Sequence, residues 1–224
     1  MTYCFKGIVS QNRVRMAQEF PRQYFRRYDE SNDANFYSVP RKVVHIDEWA
    51  IAVLRKTYRN LLTDGGVWLD LMSSWRSHLP DDIQPERVVG LGMNAEEMND
   101  NPQLDSQLVH NLNNDPHLPY DDKQFDAVMC AVSIQYLTQP ITVFEEVNRV
   151  LKPGGRFIIS FSNRCFPSKA VAIWLSTTDR QHIELIKRYF ELSGNWENVQ
   201  ADENTSPHHN PLYIVYGTRR QQPG

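Results

Sequence analysis

The sequence predicts an α/β fold, with a mostly parallel seven-stranded sheet and helices on both faces. Three observations predict it. Short segments that are apolar on both faces, such as VWLDL at 67–71 and FDAVMCAVS at 125–133, read as strands covered on two sides. Segments with apolar residues at helical spacing alternate with them. The turn Pro153-Gly154-Gly155 joins the helical pattern ITVFEEVNRVL to the strand RFIISFS, where only glycine accepts a positive φ cheaply.

The elements follow in order. From Arg41 to Leu62, the residues Val44, Trp49, Val53, Leu54, Tyr58, Leu61 and Leu62 recur near helical spacing. Asp47 and Glu48 fall in the first turn, where the helix dipole favours acids, and Gly65 and Gly66 supply the stop. VWLDL is the first strand, RVVGLGM the second, SQLVHNL the third and FDAVMCAVS the fourth. RFIISFS is the fifth, residues 167–193 read as helical, and PLYIVYGTR closes the chain against a partner strand near Trp196–Val199.

The chain has 224 residues and is 41% hydrophobic, enough for one domain with a full core. No apolar run approaches the roughly 18 residues of a membrane span. Three widely spaced cysteines, Cys4, Cys130 and Cys165, suggest reduced thiols and a cytoplasmic setting. A net charge of −3 gives no reason to expect nucleic acid. Residues 1–27 carry six Lys or Arg against the single acid Glu19. They read as a basic arm on an acidic body or as an organelle transit peptide. The division expected is an arm and lid over 1–40 and one sheet domain over 41–224.

Ligands of such sheets bind beyond the carboxyl ends of the strands. That selects Asp70–Arg76, Gly92–Asn94, Asn111–Asn113 and Ala131–Tyr136. The third of these would offer Leu112 as an apolar surface, and Met93 sits within the second.

Two segments, LPYDDKQFDAVMCAVSIQYL and FEEVNRVLKPGGRFIISFSN, resemble the class I S-adenosylmethionine-dependent methyltransferases, within them the type 11 group. The resemblance covers about Tyr37 to Arg219. It implies a Rossmann-like fold, an N-terminal helical lid, S-adenosylmethionine as cofactor and a small-molecule acceptor, with no membrane or nucleic-acid partner. Oligomeric state is left open.

The cofactor positions depart from the family. Asp70 matches the acid that ends the first strand, but Met72, Ser74 and Arg76 stand where the family has glycines. Ser73 and Ser74 offer hydroxyls, and Arg76 a guanidinium, to a cofactor carboxylate. Arg76 equally reads as a solvent-facing helix residue. Gly92 replaces the acid that would hold the ribose, with Asn94 or Glu96 as substitutes. Asn111 replaces an acid that would accept from the adenine amino group, a mild change. Leu112 would cover an adenine face, and Ala131 ends the fourth strand beside it.

No catalytic residue is specified. Tyr37, His45 and Tyr136 are candidates, His45 because its ordinary pKa lies near neutrality. Ser162, Asn163 and Arg164 would face the acceptor, and Arg164 hints at an anionic one. His208 and His209 have no third ligand spaced for a metal. A methyltransferase-like fold without catalysis, acting as a ligand-binding or interaction module, is the competing reading. A nicotinamide dehydrogenase fits poorly, because GLGMNA follows the second strand and lacks the final glycine.

Overall fold

The computed structural model describes residues 20–221. Most of the basic arm, with Cys4, lies outside these residues. The strands are β1 (Val67–Ser73), β2 (Arg87–Gly92), β3 (Ser106–Val109), β4 (Phe125–Ala131), β5 (Leu151–Phe161), β6 (Trp196–Asn204) and β7 (Leu212–Arg219). They form one seven-stranded sheet in the order β3-β2-β1-β4-β5-β7-β6. β1 to β5 pair in parallel, and β7 runs antiparallel to both β5 and β6. This is the Rossmann-like architecture expected, with all five parallel strands ending at one edge.

Six α-helical segments accompany the sheet: α1 (Asp33–Phe36), α2 (Glu48–Leu61), α3 (Ala95–Asn99), α4 (Pro140–Val150), α5 (Ala172–Leu175) and α6 (Asp179–Ser193). On one face, Leu54 and Tyr58 of α2 pack with Trp68, Met129, Ile158 and Ile214. On the other, Phe144 of α4 and Phe190 of α6 meet edge to face at 4.9 Å over Phe157.

Three sequence expectations change in detail. The first helix begins at Glu48, because Asp47 caps it by accepting from Ala50 N at 2.9 Å. Arg41–Ile46 therefore runs outside the helix, toward the ligand edge. The stretch 167–193 is two helices separated by residues 176–178. No helix spans β1 to β2: residues 74–86 are irregular, Pro80 and Pro85 interrupt them, and Leu79 and Ile83 fill the space beside α2. Arg76 is thus a loop residue and not a helical one. The segment expected to be a helical lid contains one four-residue helix, α1, continued by irregular chain. Asp126 accepts from Val67 N at 2.9 Å and Lys152 Nζ at 2.8 Å, tying the start of β1 to the start of β5. The expected turn at Pro153-Gly154-Gly155 is an irregularity within β5, where Gly154 has φ +83°.

Candidate active site

One pocket lies at the carboxyl edge of β1, β2, β3 and β4, and fourteen of the residues singled out from the sequence line it, while Glu96, Ser162, Asn163 and Arg164 do not. Asp70, Met72, Ser73, Ser74 and Arg76 come from the end of β1. Gly92, Met93 and Asn94 come from β2, and Asn111 and Leu112 from the chain after β3. Ala131 and Tyr136 follow β4, and Tyr37 and His45 reach over from the lid.

The β1 end explains its missing glycines. Met72 has φ +61°, the left-handed conformation a glycine would have adopted. The β1–β2 register slips between Leu71 and Ser73, so Met72 forms a bulge and Ser73 comes to pair with Gly92. A Cβ on Gly92 would sit 2.2 Å from Ser73 O and 3.0 Å from Met98 Sδ. The missing β2 acid and the missing β1 glycines are therefore one structural change. The bulged strand occupies the space that a side chain at 92 would need.

Asp70 is 4% exposed. Ser73 Oγ and Ser77 Oγ both donate to its Oδ2 at 2.6 Å. No hydrogen bond among the described residues reaches Oδ1. Burial raises the Asp70 pKa to about 6, against the lowering effect of the two hydroxyls. The Ser73 hydroxyl is thereby committed to Asp70, contrary to the expectation that it faces a cofactor carboxylate. Ser74 Oγ is committed too, donating to Glu97 Oε2 at 2.6 Å. Arg76 Nη1 donates to Trp75 O at 2.7 Å and Asp100 O at 3.2 Å, and its guanidinium stacks 4.0 Å above the Trp75 ring.

Glu97 is the residue that sequence reasoning missed. It is buried at the third position of α3 and accepts from Arg41 N at 2.6 Å as well as from Ser74. The signal was present: Asn94 caps α3 by accepting from Glu97 N, giving an N-x-x-E start. Glu96, the expected substitute, turns outward to Lys42 at 3.1 Å. Asn94 Nδ2 donates to Tyr37 O at 2.8 Å, so this side chain is spent holding the lid. At the position expected to meet the adenine, Asn111 Oδ1 accepts from Asn113 N, while its buried Nδ2 has no partner among the described residues. The group on offer is a donor, not the acceptor expected.

The lid is held by buried charges. Arg27 Nη1 contacts Asp33 at 2.8 and 2.9 Å, and Lys169, 0% exposed, reaches Asp29 at 2.9 Å and Asp33 at 3.1 Å. Asn113 Nδ2 completes the cluster on Asp33 at 2.9 Å. Arg41 stacks 4.2 Å from the Phe36 ring.

The catalytic candidates separate by protonation. Burial pushes the Tyr37 hydroxyl well above its ordinary pKa and that of Tyr136 up to about 12. The Tyr136 hydroxyl also accepts from Phe166 N at 2.8 Å. His45 is pushed down by burial at the lid, with Arg164 and Arg41 adding to this and Glu97 opposing it. Beyond β4, Val132 has φ +50°, unusual for a branched side chain, which re-aims the chain at the pocket wall. Ser162 turns away and donates to Pro211 O, so of the three residues expected at the acceptor side only Asn163 and Arg164 border a cavity. His209 stacks on Trp49 and contacts Asp47 at 3.2 Å. No His/Cys/Asp/Glu cluster suited to a metal occurs among the described residues. No helix among them is long and apolar enough to cross a membrane.

Residues 77–159 match the family model of a methyltransferase domain, the type 11 group. The match begins just past the altered β1 loop. The chain is 29% identical over 164 residues to the mitochondrial 2-methoxy-6-polyprenyl-1,4-benzoquinol methylase of Gallus gallus, an alignment covering 70% of this chain and 47% of that one. It is 26% identical over 86 residues to the malonyl-[acyl-carrier protein] O-methyltransferase of Marinomonas sp. (strain MWYL1), covering 38% and 31%. The chain thus spans about a third to a half of the length of these curated relatives. Phosphoethanolamine N-methyltransferase 2 of Haemonchus contortus, solved with S-adenosyl-L-methionine, shares the fold at a TM-score of 0.59 and 11% identity, over 84% of this chain and 56% of that one. The resemblance read from the sequence is borne out by these matches.

Proposed function

We propose that this chain, which carries the type 11 methyltransferase match on a class I methyltransferase fold, is an S-adenosylmethionine-dependent methyltransferase acting on a small-molecule acceptor. One observation carries the reading. The ends of four parallel strands bring Asp70, Gly92, Asn111 and Ala131 into a single pocket beneath a lid. The residues fit the cofactor with their donors rearranged. Asp70 Oδ1 suits the amine, the Nδ2 of Asn111 suits an acceptor nitrogen of the adenine ring, and Leu112 supplies an apolar face. Glu97 takes over the role of the β2 acid toward the ribose, while Arg76 turns its remaining N–H groups to the carboxylate.

When bound, S-adenosylmethionine supplies a methyl group on a sulfonium, a leaving group that keeps its bonding pair. The protein contributes position and dryness. The lid, anchored by Asn94 on Tyr37 and by the Arg27–Asp33–Lys169 cluster, excludes water from the reacting end. Where the acceptor must lose a proton, His45 takes it, because it stays neutral near pH 7 while Tyr37 and Tyr136 stay protonated. Titration calorimetry with S-adenosylmethionine, with NAD as control, tests the reading. Binding of the former alone supports it, and no heat at millimolar cofactor defeats it.

A second reading rests on Asp70. Two serine hydroxyls already satisfy one of its oxygens. A methyltransferase-like fold that binds a different ligand or a partner without catalysis would tolerate that arrangement. It requires cofactor binding to be absent.

A further inference from the structure

A second cavity opens beside the main pocket. Asn163, Arg164, Cys165 and Pro167, from the chain after β5, form its far wall, and His45, Val132, Tyr136 and Phe166 are shared with the main pocket. The second cavity is therefore an annex that shares a wall with the main pocket. No Asp or Glu lines this annex. Its cation, Arg164, is exposed and makes no hydrogen bond or ion pair among the described residues. Other cations of the region are engaged: Arg27 and Lys169 with Asp33, and Arg41 with Phe36 O at 2.6 Å.

The neutral part of the annex is flat and rigid. Phe166 and Tyr136 are stacked at 6.1 Å with 28° between their planes, and Phe166 N donating to the Tyr136 hydroxyl locks the pair. His45 stands edge-on to Phe166 at 5.2 Å. Burial lowers the His45 pKa, Glu97 opposes this, and Arg164 and Arg41 add to the lowering. An unpaired guanidinium beside fixed ring faces suits a planar anion. The guanidinium fork matches a carboxylate bidentately, and ring faces prefer another flat group.

We propose that this annex anchors the methyl acceptor and that the acceptor is a planar carboxylate, its ring against Phe166 and Tyr136 and its carboxylate on Arg164. The proposal rests on the methyltransferase reading for the word acceptor, but the annex can be probed without it. Benzoate, benzyl alcohol and inorganic phosphate would be titrated into the full chain, with and without saturating S-adenosylhomocysteine. Benzoate should bind about tenfold or more tightly than benzyl alcohol, and phosphate should not displace it. Arg164→Ala should abolish the benzoate preference, Arg164→Lys should keep part of it, and neither should change S-adenosylhomocysteine affinity more than about twofold. Equal binding of benzoate and benzyl alcohol, displacement by phosphate, or an unchanged preference in Arg164→Ala would overturn the planar-carboxylate site. Failure of S-adenosylhomocysteine to bind, with benzoate still bound through Arg164, would defeat the methyltransferase reading and leave the anion site standing.

Discussion

Ser73 O lies where a Cβ on Gly92 would need to be, at 2.2 Å. The contact couples the ends of two neighbouring strands. It follows from the left-handed Met72, whose bulge shifts Ser73 into register with Gly92. Restoring the family's acid at 92 alone is therefore not a route to tighter ribose binding.

Gly92→Asp should destabilise the fold. Overpacking of a tight site costs about 1–3 kcal/mol, equivalent to roughly 2–12 °C in Tm for a chain of this size. Thermal denaturation checks it. A variant as stable as the parent that binds adenosine more tightly would show that β1 can yield.

Asp70 should impose a pH dependence on stability. Its folded pKa is raised to about 6 from the ordinary 3.8. Well below pH 3.8 both states are protonated and no penalty exists. Between pH 4 and 6 the unfolded state ionises first, so stability falls as pH rises and then levels. The shift corresponds to roughly 3 kcal/mol. Asp70→Asn should remove this slope in urea titrations at pH 4, 5, 6 and 7. Cofactor affinity of the parent should rise through the same interval, as the carboxylate forms, and stay flat in the variant. Parallel stability profiles for the two proteins would mean that Asp70 is ionised throughout.

The β1 loop should show an asymmetry between ligands. Ser74 acts on Glu97, so Ser74→Ala and Glu97→Gln should weaken S-adenosylmethionine and adenosine to a similar degree. A buried donor left unpaired costs about 1–3 kcal/mol, or roughly 5- to 150-fold in affinity if it is expressed in binding. Arg76→Ala should weaken S-adenosylmethionine and spare adenosine, which has no carboxylate. Equal losses of both ligands in Arg76→Ala would reduce Arg76 to its stacking on Trp75.

The buried cluster should hold the lid down. Lys169→Ala leaves Asp33 with Arg27 as its one cation beside the Asn113 amide, and removing one member of a buried ion pair costs about 3–5 kcal/mol. Limited proteolysis should then cut within residues 20–47 sooner than in the parent, with a lowered Tm. Unchanged cleavage and Tm would indicate that Arg27 and Asn113 suffice.

Much of the architecture was legible in the chain. Two-sided apolar runs such as VWLDL and FDAVMC are a local record of burial, and Pro153-Gly154-Gly155 is a local record of a backbone irregularity. Once those strands are parallel, their ends must share one edge. That is why Asp70, Gly92, Asn111 and Ala131 met in one pocket as expected. What the side chains do there was decided by tertiary structure. Ser73 was read as a cofactor donor and is bonded to Asp70. Asn94 or Glu96 was read as the substitute for the β2 acid and Glu97 was passed over, though a single residue's rotation around α3 sends Glu96 outward to Lys42 and Glu97 into the pocket. Arg76, left open between a cofactor contact and a helical position, lies in a loop, because Pro80 and Pro85 interrupt the chain there and Leu79 and Ile83 fill the space beside α2. Lys169 reaches Asp29 across 140 residues of sequence. Periodicity reports which face of an element is buried, because burial repeats with the backbone. It carries no record of which distant atom completes a hydrogen bond, and that choice settled the polar layout of this site.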